Sequence, residues 1–120
     1  MIDFVEQMMK TAGVEQENDC ENCYQELDAF CLLYGCNEKG FPNFTAETQL
    51  EIIKLISDID CLTIYSTEIP DYRYIFYLQH RKVRAEQKTF IEALAQLTTE
   101  LMNAGKLDKK KVKEILENAR

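Results

Sequence analysis

Four of the five cysteines, Cys20, Cys23, Cys31 and Cys36, fall in a C-x2-C-x7-C-x4-C pattern. Four thiolates can close a tetrahedral zinc site. Such a site needs Cys20 and Cys23 in a turn that aims both sulfurs at one ion, and no glycine sits near them to make it. The competing reading is that cysteines here are small apolar residues on the buried stripe of an amphipathic helix, the common fate of a free thiol. It is preferred: no metal and no cofactor is expected, with these four residues as the metal candidates if one is bound. Redox chemistry at Cys20-x-x-Cys23 would want a helix start inside a βαβ unit. The helix start is available, the parallel sheet is not, and the flanking Asp19 and Glu21 disfavour a thiolate.

Other chemistry is limited by inventory. His80 is the single histidine, Ser57 and Ser66 are the only serines, and no G-x-S-x-G occurs. A Cys–His pair would have to join His80 to Cys61 or to a cysteine of the second helix, and nothing in the spacing brings them together. Asp58 and Asp60 begin a D-x-D, but no closing glutamate follows at calcium-loop spacing. Glycine-rich phosphate loops are absent. The expectation is a protein that is not an enzyme.

Aromatic and charged residues carry more signal. Tyr72, Tyr74, Phe76 and Tyr77 cluster around Arg73, and residues 74–78 leave no polar face on a helical turn. Tyr and Arg are typical of interface centres. Basic clusters lie at His80–Arg84 with Lys88, and at Lys106 with Lys109, Lys110, Lys111 and Lys113. Residues 1–70 hold 14 acids against 3 bases, and residues 71–120 hold 7 acids against 11 bases. The net charge of −7 opposes binding to nucleic acid or an anionic membrane surface.

These residues need elements to hold them. With 120 residues, 4 Gly and 2 Pro, the chain reads as one domain, 1–120, poor in tight turns and rich in helix. Ile2, Val5, Met8 and Met9 mark a helix over 2–12, ended by Gly13. A second helix, capped at Asn18 or Asp19, runs to Gly35 with the cysteines on its stripe. Thr45 caps a third, which runs to about residue 65, and Asp108 caps a last one over 109–118.

Between them, positions 76, 80, 83, 87, 90, 94, 97 and 101 keep a 4-3 spacing, and six of these eight residues are apolar. That spacing predicts one helix over 71–104. Its length, about 51 Å, exceeds the ~35 Å diameter of a domain this size, so its overhang would pack on a second copy. The alternative for 61–79 is a β-hairpin, because CLTIYS and YRYIFYL are rich in β-branched and aromatic residues around Pro70.

The resulting expectation is an all-α, irregular bundle of about five helices with one long helix; the alternative is α+β with a β-hairpin at 61–79. No apolar run of membrane-spanning length occurs, the N-terminus lacks the pattern of a signal peptide, and an odd cysteine count fits a reducing compartment. The expected function is a non-enzymatic cytoplasmic protein–protein interaction module (adaptor, chaperone-like or inhibitory regulator) that forms a homo-oligomer. Its interface would be Tyr72, Tyr74, Phe76, His80, Val83, Gln87, Phe90 and Leu94. Two alternatives are a small cysteine-based metal-binding or redox protein and an acidic inhibitor of a nucleic-acid-binding enzyme.

Overall fold

A computed structural model describes residues 2–16 and 40–118. The first helix, α1, spans Phe4–Ala12; the Asp3 carboxylate accepts the Glu6 N–H at 3.0 Å, and Gly13 closes it at φ +82°. The left-handed backbone there lets Val14 N–H reach the Met9 carbonyl at 2.9 Å. Helix α2, Ala46–Ser57, starts at Thr45 as expected, with Thr48 N–H donating to its hydroxyl at 3.2 Å. It stops eight residues short of the expected end at 65. The expected helix over 19–34, with its cysteine stripe, lies outside the described residues.

The long helix over 71–104 is not formed. Two strands, β2 Arg73–Leu78 and β3 Val83–Gln87, occupy its first half and join β1 Leu62–Thr67 before them in an antiparallel meander of order β1-β2-β3. Helix starts again only at α3, Phe90–Asn103, and α4 follows at Lys109–Glu117 under the Asp108 cap. The described residues therefore form an α+β fold. The all-α bundle is overturned, and the hairpin alternative for 61–79 is the arrangement observed.

The misleading heptad has a geometric origin. Leu78 pairs with Val83, Phe76 with Ala85 and Tyr74 with Gln87. Paired residues share a face, and strand side chains alternate with a period of two. Phe76, Val83 and Gln87 thus all point to the same side of the sheet as members of two strands, and a turn separates them. A spacing of seven then four lands on that face by coincidence. The true helix start is marked locally: Thr89 Oγ1 accepts the Glu92 N–H at 3.1 Å and donates to the Glu92 carboxylate at 2.8 Å. This T-x-x-E cap satisfies an N–H group that a continuous helix would not leave open.

One hydrophobic cluster joins these elements. It includes Met8 and Met9 from α1, Ile52 and Ile56 from α2, Phe76 and Leu78 from β2, Leu94, Leu97 and Leu101 from α3, and Val112 and Leu116 from α4. Helix α3 is the centre, with Ala93, Leu94, Ala95, Leu97, Thr98, Leu101 and Met102 buried. Each large side chain buried here contributes about 1.5–3 kcal/mol of transfer free energy. Thr98 is accommodated because its hydroxyl donates to the Leu94 carbonyl at 2.7 Å.

Candidate interaction surface and the Asp60 turn

The residues expected to form an interface separate into three groups. Phe76 and Leu94 are fully buried in the core. Tyr74, Val83, Gln87 and Phe90 are partly buried where the sheet meets α3. There the Phe90 ring meets Phe76 edge-on at 5.0 Å and Tyr74 at 6.1 Å, and the Gln87 amide donates to Gln96 Oε1 at 2.9 Å. Tyr72 and His80 are exposed, one at each end of β2. The 4-3 seam is therefore not a surface: most of it closes α3 onto the sheet.

The apolar surface lies instead on the β1–β2 hairpin. Ile64 is 39% exposed, Tyr65 45%, Ile69 88% and Tyr72 68%, which makes this short segment the main concentration of exposed large hydrophobics among the described residues. Of these, only Tyr72 belongs to the expected set. The missed signal is in LTIYST: six uncharged residues, four of them β-forming. Among the described residues the pairing β1-β2-β3 leaves β1 with one side open, and α3 packs across β3 and β2.

The parity of that open edge follows from one bond. Gln79 N–H donates to the Cys61 carbonyl at 3.1 Å, and Leu62 through Thr67 then pair in register with Leu78 through Arg73. Backbone groups alternate in direction along an antiparallel strand. Residues 61, 63, 65 and 67 thus bond to β2. Leu62, Ile64 and Ser66 present their N–H and C=O groups to the open side.

At the other end of β1, Asp60 ties the α2–β1 junction to the β2–β3 turn. Its carboxylate accepts N–H groups of Cys61 at 2.6 Å, Arg81 at 2.8 Å and His80 at 3.3 Å, and contacts His80 Nδ1 at 2.9 Å. The side chain is 2% exposed. Desolvation pushes its pKa up, but the Arg81 amide, the His80 ring and the Cys61 and His80 amides outweigh this and hold it at about 2, below its ordinary value of 3.8. An ionised carboxylate therefore organises this turn, in which Lys82 adopts φ +55°. Sequence reasoning could not find the role, because two of the amides that define it lie twenty residues downstream.

Cys61, an exposed free thiol, and His80 do line one concavity of about 650 Å³, together with Ile59, Asp60 and Arg81. The Asp60–His80 contact resembles the orienting half of a nucleophilic triad. The oxyanion half is missing from this turn: the Cys61, His80 and Arg81 amides are committed to Asp60. Cys20, Cys23, Cys31 and Cys36 lie outside the described residues. Among the described residues no group of three His, Cys, Asp or Glu side chains is placed to hold a metal ion, and no helix is long and apolar enough to cross a membrane. Lys109, Lys110 and Lys111 stand exposed in the first turn of α4.

No protein-family model matches the chain, and no curated protein and no solved structure is significantly similar to it.

Proposed function

We propose that this is a non-enzymatic, cytoplasmic protein–protein interaction module whose docking surface is the β1–β2 hairpin. One observation carries the reading: a sheet edge without charge, continuous with a loop that exposes Ile69 and Tyr72. Proteins ordinarily blunt edge strands with charges, proline or a covering element. An edge kept open, beside clustered exposed apolar side chains, is the arrangement that strand addition uses: main-chain bonds supply affinity and flanking side chains supply selectivity. The excess of acids before residue 70 and of bases after it would orient the encounter. The test compares proteins retained from native cell extract by the wild type and by Ile69→Ser/Tyr72→Ser, with folding of both checked by circular dichroism. A partner held by the wild type and lost by the folded variant is expected. Identical retention by both, together with identical self-association of both, would refute the reading.

A further inference from the structure

We infer that the occupant of the open edge is the same edge of a second copy, joined by a two-fold antiparallel β1–β1 ladder centred on Ile64. This rests on the reading of the hairpin as a docking surface and names its partner.

The backbone limits the register to centres on a residue, and the side chains choose among them. A two-fold axis perpendicular to the sheet keeps each face on its own side, so residues facing each other must share parity. Only Leu62, Ile64 and Ser66 offer free N–H and C=O groups outward. Both conditions are met when Ile64 faces Ile64 and Leu62 faces Ser66, in both directions. Three pairs, each exchanging two bonds, then satisfy all the outward groups of both strands. Centring between Ile64 and Tyr65 would put outward-bonding residues out of step with their partners, and centring on Tyr65 would keep them in step but pair Leu62 with the charged Glu68.

The side chains agree with that register. Ile64, exposed at the edge, meets its own copy on the helix-bearing face, and Thr63 lies beside Tyr65 on the other. No charge occurs within Leu62–Thr67 to repel its copy. Because α3 packs across β3 and β2, it leaves the β1 side clear. Continued past the strand, the register carries Ile69 of one copy to the level of Ile59 in the other. There the concavity lined by Ile59, Asp60, Cys61 and Arg81 opens, matching a protruding isoleucine to a hollow. The same register brings Glu68 to the level of Asp60 of the other copy, where Asp58, His80 and Arg81 also lie. A contact of this kind, one strand and its flanking loop, belongs to the smaller class of specific interfaces.

The test is solution mass against concentration, by sedimentation equilibrium, for the wild type and Ser66→Pro. Proline at 66 removes only an outward N–H and leaves the β1–β2 bonds in place, a position where edge strands accept it. The wild type is expected to rise from 14.0 kDa toward twice that mass, with Ser66→Pro staying monomeric and keeping the wild-type circular dichroism. Ile64→Lys, which adds a charge without touching the backbone, should dissociate the dimer as well. In a Cys61→Ser background, Ile64→Cys should cross-link between copies at least tenfold faster than Thr63→Cys, whose counterparts lie two positions apart. A wild type that stays monomeric at several hundred micromolar, or a dimer indifferent to Ser66→Pro and Ile64→Lys, overturns the inference. If the copies stay monomeric while Ile69→Ser/Tyr72→Ser still abolishes retention of another protein, the second copy is excluded and the docking surface survives.

Discussion

The two edges of the same three-stranded sheet are built to opposite specifications. Strand β3 carries Arg84 and Glu86, which pair with each other, and its Gln87 is hooked to Gln96 of α3, which packs against the strand. Charge and cover together close that edge. Strand β1 carries no charge and has no covering element among the described residues, and its exposed Ile64 and Tyr65 sit on opposite faces. A sheet that protects one edge and leaves the other bare has its exposure localised, which argues for use of the bare edge. The contrast also says where free energy resides: the β2–β3 side is welded to the core, and the β1 side hangs from β2.

The contrast can be tested first where it should be greatest. Phe76→Ala removes a fully buried ring that packs on Phe90 and should cost about 3–5 kcal/mol in denaturant unfolding. Ile64→Ala on the bare edge, measured in the monomeric Ser66→Pro background, should cost less than about 1 kcal/mol. Comparable losses at both positions would erase the distinction between the two sides.

Next in size is the parity of β1. Tyr65→Pro deletes a ladder bond to β2 and should destabilise the fold by about 2 kcal/mol or more. Ser66→Pro, one residue on, should leave thermal stability of the monomer nearly unchanged. Reversed outcomes would mean that the strand faces its neighbour with the other set of amides.

These two proline substitutions bear on what could be read from the residues in advance. Helix boundaries set by local chemistry were legible: Gly13 as a stop, Thr45 and Asp108 as caps. Their partners lie within a few residues, so type and spacing suffice. The segment 61–79 was legible only as the alternative hairpin, and 80–89 was not legible, because Phe76, Val83 and Gln87 satisfy a helical spacing and a shared sheet face at once. The deciding clue, the Thr89–Glu92 box, was local but competed with that longer pattern. The core role of Phe76 and Leu94 and the turn role of Asp60 depend on pairing across the chain, which no single-segment pattern contains. Among the candidate surface residues, Tyr72 was legible from its aromatic neighbourhood; Ile64 and Tyr65 were not, because their exposure depends on which strand becomes the edge.

A smaller effect should appear at the junction between the two sides. The folded-state pKa of Asp60, about 2, lies below the ordinary value of 3.8. The unfolded chain therefore takes up this proton first on acidification. The stabilisation is fully present above the ordinary value and is lost as pH falls from about 4 toward 2. Thermal unfolding of Asp60→Asn against pH should show a flatter decline across that window than the wild type, and a lower melting temperature at neutral pH. Parallel curves would remove Asp60 from its role as the tie between α2–β1 and the β2–β3 turn. Smallest of all, Lys82→Gly relieves a left-handed backbone in that turn and should raise stability by up to about 1 kcal/mol.

The most direct measurement is residue-resolved amide hydrogen exchange along β1 as a function of protein concentration. Thr63, Tyr65 and Thr67 should be protected at every concentration, since their amides bond to β2. Leu62, Ile64 and Ser66 should exchange freely in dilute solution and become protected as concentration rises, in step with the mass. Uniform protection of all six residues at every concentration, or free exchange of Leu62, Ile64 and Ser66 at the highest one, would contradict the account.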